Sequence, residues 1–143
     1  MGLEASNNHR MCARLVHLID DDLFFPAKLT AALAAAGIGV RTFDDGDIEA
    51  AMADLPACIV VNWGRAAEAR ANFVRNLKAT AVTRDIPVLA FAGHLETTLH
   101  RLAKEAGADK VVANSAIASR PVQLIEELIA RGAGMSGDVA VEE

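Results

Sequence analysis

Long apolar runs are missing from this chain. No stretch of about 18 residues escapes a charge, so no segment is expected to span a bilayer. Cysteine is scarce: Cys12 and Cys58 are the only two. That usage fits reduced thiols in a cytoplasm rather than a disulfide framework. Basic clusters are missing as well, and the net charge of −5 argues against nucleic acid as a direct ligand. The histidines, His9, His17, His94 and His100, have no ligand spacing, so no zinc site is expected. Asp44-Asp45-Gly46-Asp47 lacks the spacing of a calcium loop. There is no Gly-rich phosphate loop and no nucleophile elbow, so no catalytic residue is assigned and the chain is not expected to be an enzyme. The first residues lack the basic-then-apolar order of a secretory signal. The expectation is a cytoplasmic protein that engages neither membrane nor nucleic acid.

What is present is a single core's worth of apolar residues, 52% of 143, enough for one domain. Apolar strand-like runs alternate with helix-like ones. Ala13 to Ile19 is β-rich and stops at Asp20-Asp21-Asp22. Phe25 to Ala36 has helical spacing, with Phe25, Leu29, Ala32, Leu33 and Ala36 on one face, and Gly37 ends it. Gly39 to Phe43 reads as a strand and Asp47 to Asp54 as a short helix. Cys58 to Asn62 is an unbroken apolar strand, followed by a helix from Ala66 to Thr80. Strands at Pro87 to Phe91 and Lys110 to Ala113 alternate with helices at Glu96 to Ala106 and Arg120 to Arg131. Strands that are apolar without alternation are buried on both faces. The expected fold is therefore α/β: a three-layer α/β/α sandwich with a parallel sheet. The domain is expected over 13–131, with loose tails over 1–12 and 132–143. In such sheets function gathers at the carboxyl ends of the strands. Those ends are Asp20-Asp21-Asp22, Asp44, Asn62, Ala92-Gly93 and Asn114.

These five ends resemble the receiver domain of two-component response regulators, over about Ala13 to Arg131. Asp20 and Asp21 match the family's acidic pair after strand one. Gly107-Ala108-Asp109 and Ile86-Pro87-Val88 match its scaffold. The resemblance implies a (βα)5 flavodoxin-like fold with strand order 2-1-3-4-5. It also implies a site, and there the match fails. The phosphoacceptor Asp position holds Asn62, the Thr or Ser position Ala92, and the Lys position Asn114, with Ser115 in place of the following Pro. The aromatic switch position on the last strand holds Val111. Phosphoryl transfer to a carboxylate needs an anionic nucleophile, Mg²⁺ and donors for the developing charge. Asn62, Ala92 and Asn114 supply none of these. The chain reads as a degenerate, phosphorylation-independent member of the family. The alternatives are a receiver triggered by a small ligand or metal in the remnant pocket, and a phosphorylatable regulator of a phosphorelay. In this fold Cys12 and Cys58 would be offset by ~13 Å at ~3.3 Å per residue, too far for a disulfide.

No cofactor is expected. Weak Mg²⁺ at Asp20 and Asp21 is one reading of the acidic end. Solvated acids that cap the first helix are another, and an internal cation from Arg65 or Arg70 a third. The partner is expected to be a protein: a kinase, a phosphotransfer protein, a regulator or a second copy. The first helix suggests where. Opposite its core stripe lie Phe24, Ala27, Ala31, Ala34 and Ala35, where a surface helix normally carries charge. Trp63, just after the Asn62 position, is a further candidate anchor. A surface from Val111, Ile117 and Leu124 is the alternative docking face.

Overall fold

The computed structural model describes residues 14–22 and 24–134. The expectations for the tail over 1–12, for His9 and Cys12, and for 135–143 lie outside the described residues. The strands are β1 (Leu15–Ile19), β2 (Gly39–Phe43), β3 (Cys58–Asn62), β4 (Val88–Ala92) and β5 (Lys110–Ala113). The helices are α1 (Phe24–Ala35), α2 (Ile48–Asp54), α3 (Ala67–Ala79), α4 (Thr97–Ala106), α5 (Asn114–Ser119) and α6 (Pro121–Gly134). The sheet has the expected order β2-β1-β3-β4-β5, and every pairing is parallel.

Successive residues of the inner strands enter opposite layers of the core. Ile59 and Val61 pack with Trp63, Phe73, Val74 and Leu77 on one side. Cys58 and Val60 pack with Leu29, Leu33, Ile117 and Leu128 on the other. Helices α2, α3 and α4 contribute to the first layer, and α1, α5 and α6 to the second. This is why the strand sequences show no polar alternation. Helix α1 is fixed by Leu29 and Leu33, each worth about 1.5–3 kcal/mol on burial. Pro26 sits in its first turn, where a missing N–H costs nothing. Asp22 Oδ2 accepts from the Phe25 amide at 3.0 Å and caps that turn.

Two boundaries differ from expectation. Asn114–Ser119 is a helix, although its sequence NSAIAS carries only one buried residue, Ile117. Helix α6 also runs beyond 131 to Gly134, into the segment expected to be a loose tail. Gly132 is not a helix stop. A Cβ there would meet Pro87 at 2.9 Å, so this glycine serves the close approach of α6 to the start of β4.

Candidate functional site

The five strand ends converge at one edge of the sheet. Ile19 pairs with Val61, which sets Asp20 beside Asn62, and Asn62 pairs with Phe91, one residue before Ala92. Asp20 is 1% exposed. Its Oδ1 accepts from Asn62 Nδ2 at 3.0 Å and from the Asp22 amide at 2.9 Å. Its Oδ2 is buried, with no hydrogen-bond donor among the described residues. The other amide atom of Asn62, Oδ1, accepts from the Gly64 amide at 3.0 Å. Asp21 points outward to two arginines. Arg65 Nε lies 2.5 Å from Asp21 Oδ1, and Arg70 Nη2 lies 3.9 Å from the same oxygen. The hydrogen bond from Arg65 holds the Asp21 carboxyl below the usual range, and the same contact raises the Arg65 guanidinium.

The acidic run therefore divides its roles. Asp22 caps the helix, as one reading expected, and Asp21 meets the internal cations of another. Asp20 is not a solvated acid, because β1 and β3 bury it between them. Arg70 is the less foreseeable cation. It is 1% exposed, on the inner face of α3. It donates from Nε to the Asn62 carbonyl at 3.3 Å and from Nη1 to the Asp44 carbonyl at 3.1 Å. Asp45 Oδ1 is a further acceptor at 3.5 Å.

On the β4 side, Ala92 is fully buried and offers a methyl group. The next residue, Gly93, donates its amide to Glu96 Oε1 at 2.8 Å. A Cβ added at Gly93 would stand 3.0 Å from that oxygen, and one added at Gly64 would stand 3.8 Å from it. The Glu96 carboxylate thus lies between the loops after β3 and β4. Nothing in the sequence marks this role, since Glu96 reads there as the start of a helix. The Gly93 carbonyl is in turn bonded to His100 Nε2 at 3.0 Å. Asn114 is exposed and opens α5 instead of reaching into the pocket as an extended residue.

The partner candidates divide sharply. Phe24 is 78% exposed, and Ala27, Ala31, Ala34 and Ala35 are exposed with it, so α1 presents an outer face of small apolar residues on which Lys28 is the one exposed charge. Trp63 does not belong with them. It is 0% exposed, packed in the core layer under α3, and a loop position after a strand had suggested otherwise. Val111, Ile117 and Leu124 are likewise buried, so they form no docking surface of their own. Cys58 is buried, and burial pushes its thiol up to about 12, which leaves it unreactive. Among the described residues no cluster of three His, Cys, Asp or Glu is arranged for a metal ion, and no helix is long and apolar enough to cross a membrane.

No protein-family model matches the sequence, and no curated protein matches it significantly. Solved structures do match. A proposed response regulator from Chloroflexus aurantiacus superposes with a TM-score of 0.75 at 19% identity, over 82% of this chain and 98% of that one. The receiver domain of the sensor histidine kinase PA1611 from Pseudomonas aeruginosa, solved with magnesium in its active-site cleft, gives 0.73 at 16% identity, over 82% and 98%. Full-length FixJ from B. japonicum gives 0.66 at 26% identity, over 82% of this chain and 58% of that one. The structural neighbours are response regulator receiver domains, and the fold of this chain is theirs.

Proposed function

We propose that the chain is a phosphorylation-independent receiver that acts in signal transduction by binding another protein. One observation carries this reading: the polar groups around Asn62 are engaged with one another. The backbone amides of Gly64 and Gly93, which flank the pocket, are taken by Asn62 Oδ1 and Glu96 Oε1. Those donors would otherwise serve an incoming oxyanion. The amide of Asn62 is no anion and cannot form an acyl phosphate. Ala92 has no hydroxyl to offer. The Glu96 carboxylate beside the two glycines repels a phosphoryl group.

The residues present do not fit Mg²⁺, which wants near-octahedral oxygens from one or two free carboxylates. Asp20 leaves only its buried Oδ2 open, because Oδ1 already accepts two hydrogen bonds, and Asp21 faces two guanidinium groups that repel a second cation. No step is routed through the metal. The reading includes no enzymatic activity, no nucleic-acid ligand and a cytoplasmic setting. The partner is a kinase, phosphotransfer protein or regulator. The outer face of α1 is its first candidate contact, because an exposed Phe24 beside bare alanines lets a second helix approach closely.

Incubation with acetyl phosphate and Mg²⁺, followed by intact mass, tests the reading. The expected result is no phosphoryl adduct. A stoichiometric, acid-stable and base-labile adduct would overturn it.

A further inference from the structure

We propose that the segment after α6 folds back into an apolar groove at the amino ends of the strands and straps that end of the sheet, with Val139 and Val141 as its anchors. This goes beyond the reading of the pocket around Asn62, which lies at the opposite ends of the strands. The groove, of about 310 Å³, lies between the turn from α2 into β3, the loop from α3 into β4 and the last turns of α6. Leu55 and Val82 form its rim, Ile86 and Pro87 its floor, and Ile129 one wall. Of the five large hydrophobic side chains exposed among the described residues, two belong to this one groove: Leu55 at 48% and Val82 at 54%. It is a place where apolar surface stands uncovered.

Leu55 is held there at a cost. It caps α2 in the left-handed region, at φ 48° and ψ 71°, where glycine ordinarily ends a helix. A glycine would make the same cap with less strain. The leucine adds an apolar side chain at the rim that the cap itself does not need. Where α6 stops points to what covers it. Ile129 and Gly132 both line the groove, and the helix ends two residues later, at Gly134. A Cβ on Gly132 would meet Pro87 at 2.9 Å, so the helix end is seated directly against the groove's floor. The chain that follows leaves from its edge.

The sequence of that segment fits the groove. Met135-Ser136-Gly137-Asp138 is a link that reaches ~13 Å at ~3.3 Å per residue, enough to turn back. Val139-Ala140-Val141 comes next, the one run of three apolar residues after Gly134. In an extended chain alternate side chains share a face, so both valines enter the groove while Ala140 faces out. Asp138, Glu142 and Glu143 flank the run with negative charge. Arg84 and Arg131 adjoin the lining residues Asp85 and Gly132, and no ion pair engages either among the described residues. They offset Asp85, the one charge in the lining, and complement the segment's acids. The short tether also sets the segment's local concentration on the order of millimolar, so two valine contacts suffice to favour it over a free partner.

Nuclear magnetic resonance on the isotopically labelled full chain tests the proposal. Nuclear Overhauser contacts are expected from the methyls of Val139 and Val141 to those of Leu55, Val82 and Ile129. Backbone order parameters over 139–141 are expected near ~0.85, the value of rigid backbone, rather than below ~0.6. Val82→Asp, which sets a like charge against the segment's acids, should release it and bring those values below ~0.6. Leu95→Ser, at a side chain 80% exposed beyond the other end of β4, should not. If Val82→Asp disturbs the fold, Val139→Ser/Val141→Ser, which alters only the segment, takes its place and should release it equally. Order parameters below ~0.6 throughout 135–143 of the unsubstituted chain would overturn the proposal, as would undiminished order in the variant. Methyl contacts that appear only between labelled and unlabelled copies would overturn it too, since a second copy would then fill the groove. An acetyl-phosphate adduct would defeat the silent-pocket reading and leave this strap standing.

Discussion

Asn62 donates its side-chain amide to the buried carboxylate of Asp20 across 3.0 Å. A carboxylate at position 62 would set two like charges at that distance. The amide turns a repulsive pair into a hydrogen bond, and charge-assisted bonds of this kind are among the stronger ones. An amide at this position therefore stabilises the strand ends that hold it.

Asn62→Asp should accordingly lower stability at neutral pH, by roughly 1–3 kcal/mol, as Asp20 loses a donor and gains a like charge. Millimolar Mg²⁺ should recover part of that loss, read as a rise in the urea midpoint and a change in Trp63 fluorescence. Phosphorylation of the variant should not change partner affinity, because Ala92 and Asn114 still offer no hydroxyl or ammonium. A large affinity change on phosphorylation would show that those two positions are dispensable.

Arg70→Met should cost more than any change at the exposed Arg65. It removes a buried cation that serves the carbonyls of Asn62 and Asp44 and leaves both acceptors short of a donor. A loss of about 3–5 kcal/mol is expected, measured by urea denaturation. A loss below ~1 kcal/mol would mean that water replaces the guanidinium without penalty.

His17 should make stability pH-dependent. Burial holds its imidazole below the ordinary 6.5, outweighing the opposing pull of Asp54 at 3.5 Å. As pH falls, the unfolded chain takes up the proton first. Stability is then full above about pH 6.5 and declines below it, down to the folded-state value. The slope is at most about 1.4 kcal/mol per pH unit. His17→Gln should flatten the curve between pH 5 and 6.5 in a series of urea midpoints. An unchanged slope would assign it to other groups.

Ala31→Glu should leave the thermal midpoint nearly unchanged, because the position is exposed on α1 and Glu is a good helix former. The same change should abolish binding of any partner that packs against the alanine face, by adding bulk and an unpaired charge. Phe24→Ser should weaken such binding about ten- to a hundredfold, the worth of one buried aromatic side chain. A partner that tolerates both changes docks elsewhere.

Strand identity was legible because runs such as Cys58–Asn62 are apolar almost throughout, which only a doubly covered sheet tolerates, whereas the sheet order followed from the family resemblance. The positions of Asp20, Asn62 and Ala92 were legible because they sit at strand ends that topology brings together, whereas Asn114 opens a helix instead. Arg70 was legible only as one of two possible internal cations, and Glu96 was hidden. Each is a charged residue near the start of a helix, where charge ordinarily faces water, and only the tertiary fold turns these two toward the pocket. Trp63 was misplaced by the inverse error. A loop position suggested exposure, but the ring is buried in the core layer with Phe73, Val74 and Leu77 of α3. The bare face of α1 was legible because helical periodicity separates Leu29 and Leu33 from Ala27, Ala31 and Ala34 without reference to anything else.

Arg70 reaches the ends of three neighbouring strands: the Asp44 carbonyl after β2, Asp21 after β1 and the Asn62 carbonyl on β3. A single guanidinium thus ties together loops that the backbone separates by many residues. None of the three can lift away without stranding a buried charge. Amide exchange should register this as one shared opening event. The Asp20 amide, bonded to the Phe43 carbonyl, and the Trp63 amide, bonded to the Phe91 carbonyl, should exchange with a common free energy. In Arg70→Met the two should separate, each loop then breathing on its own.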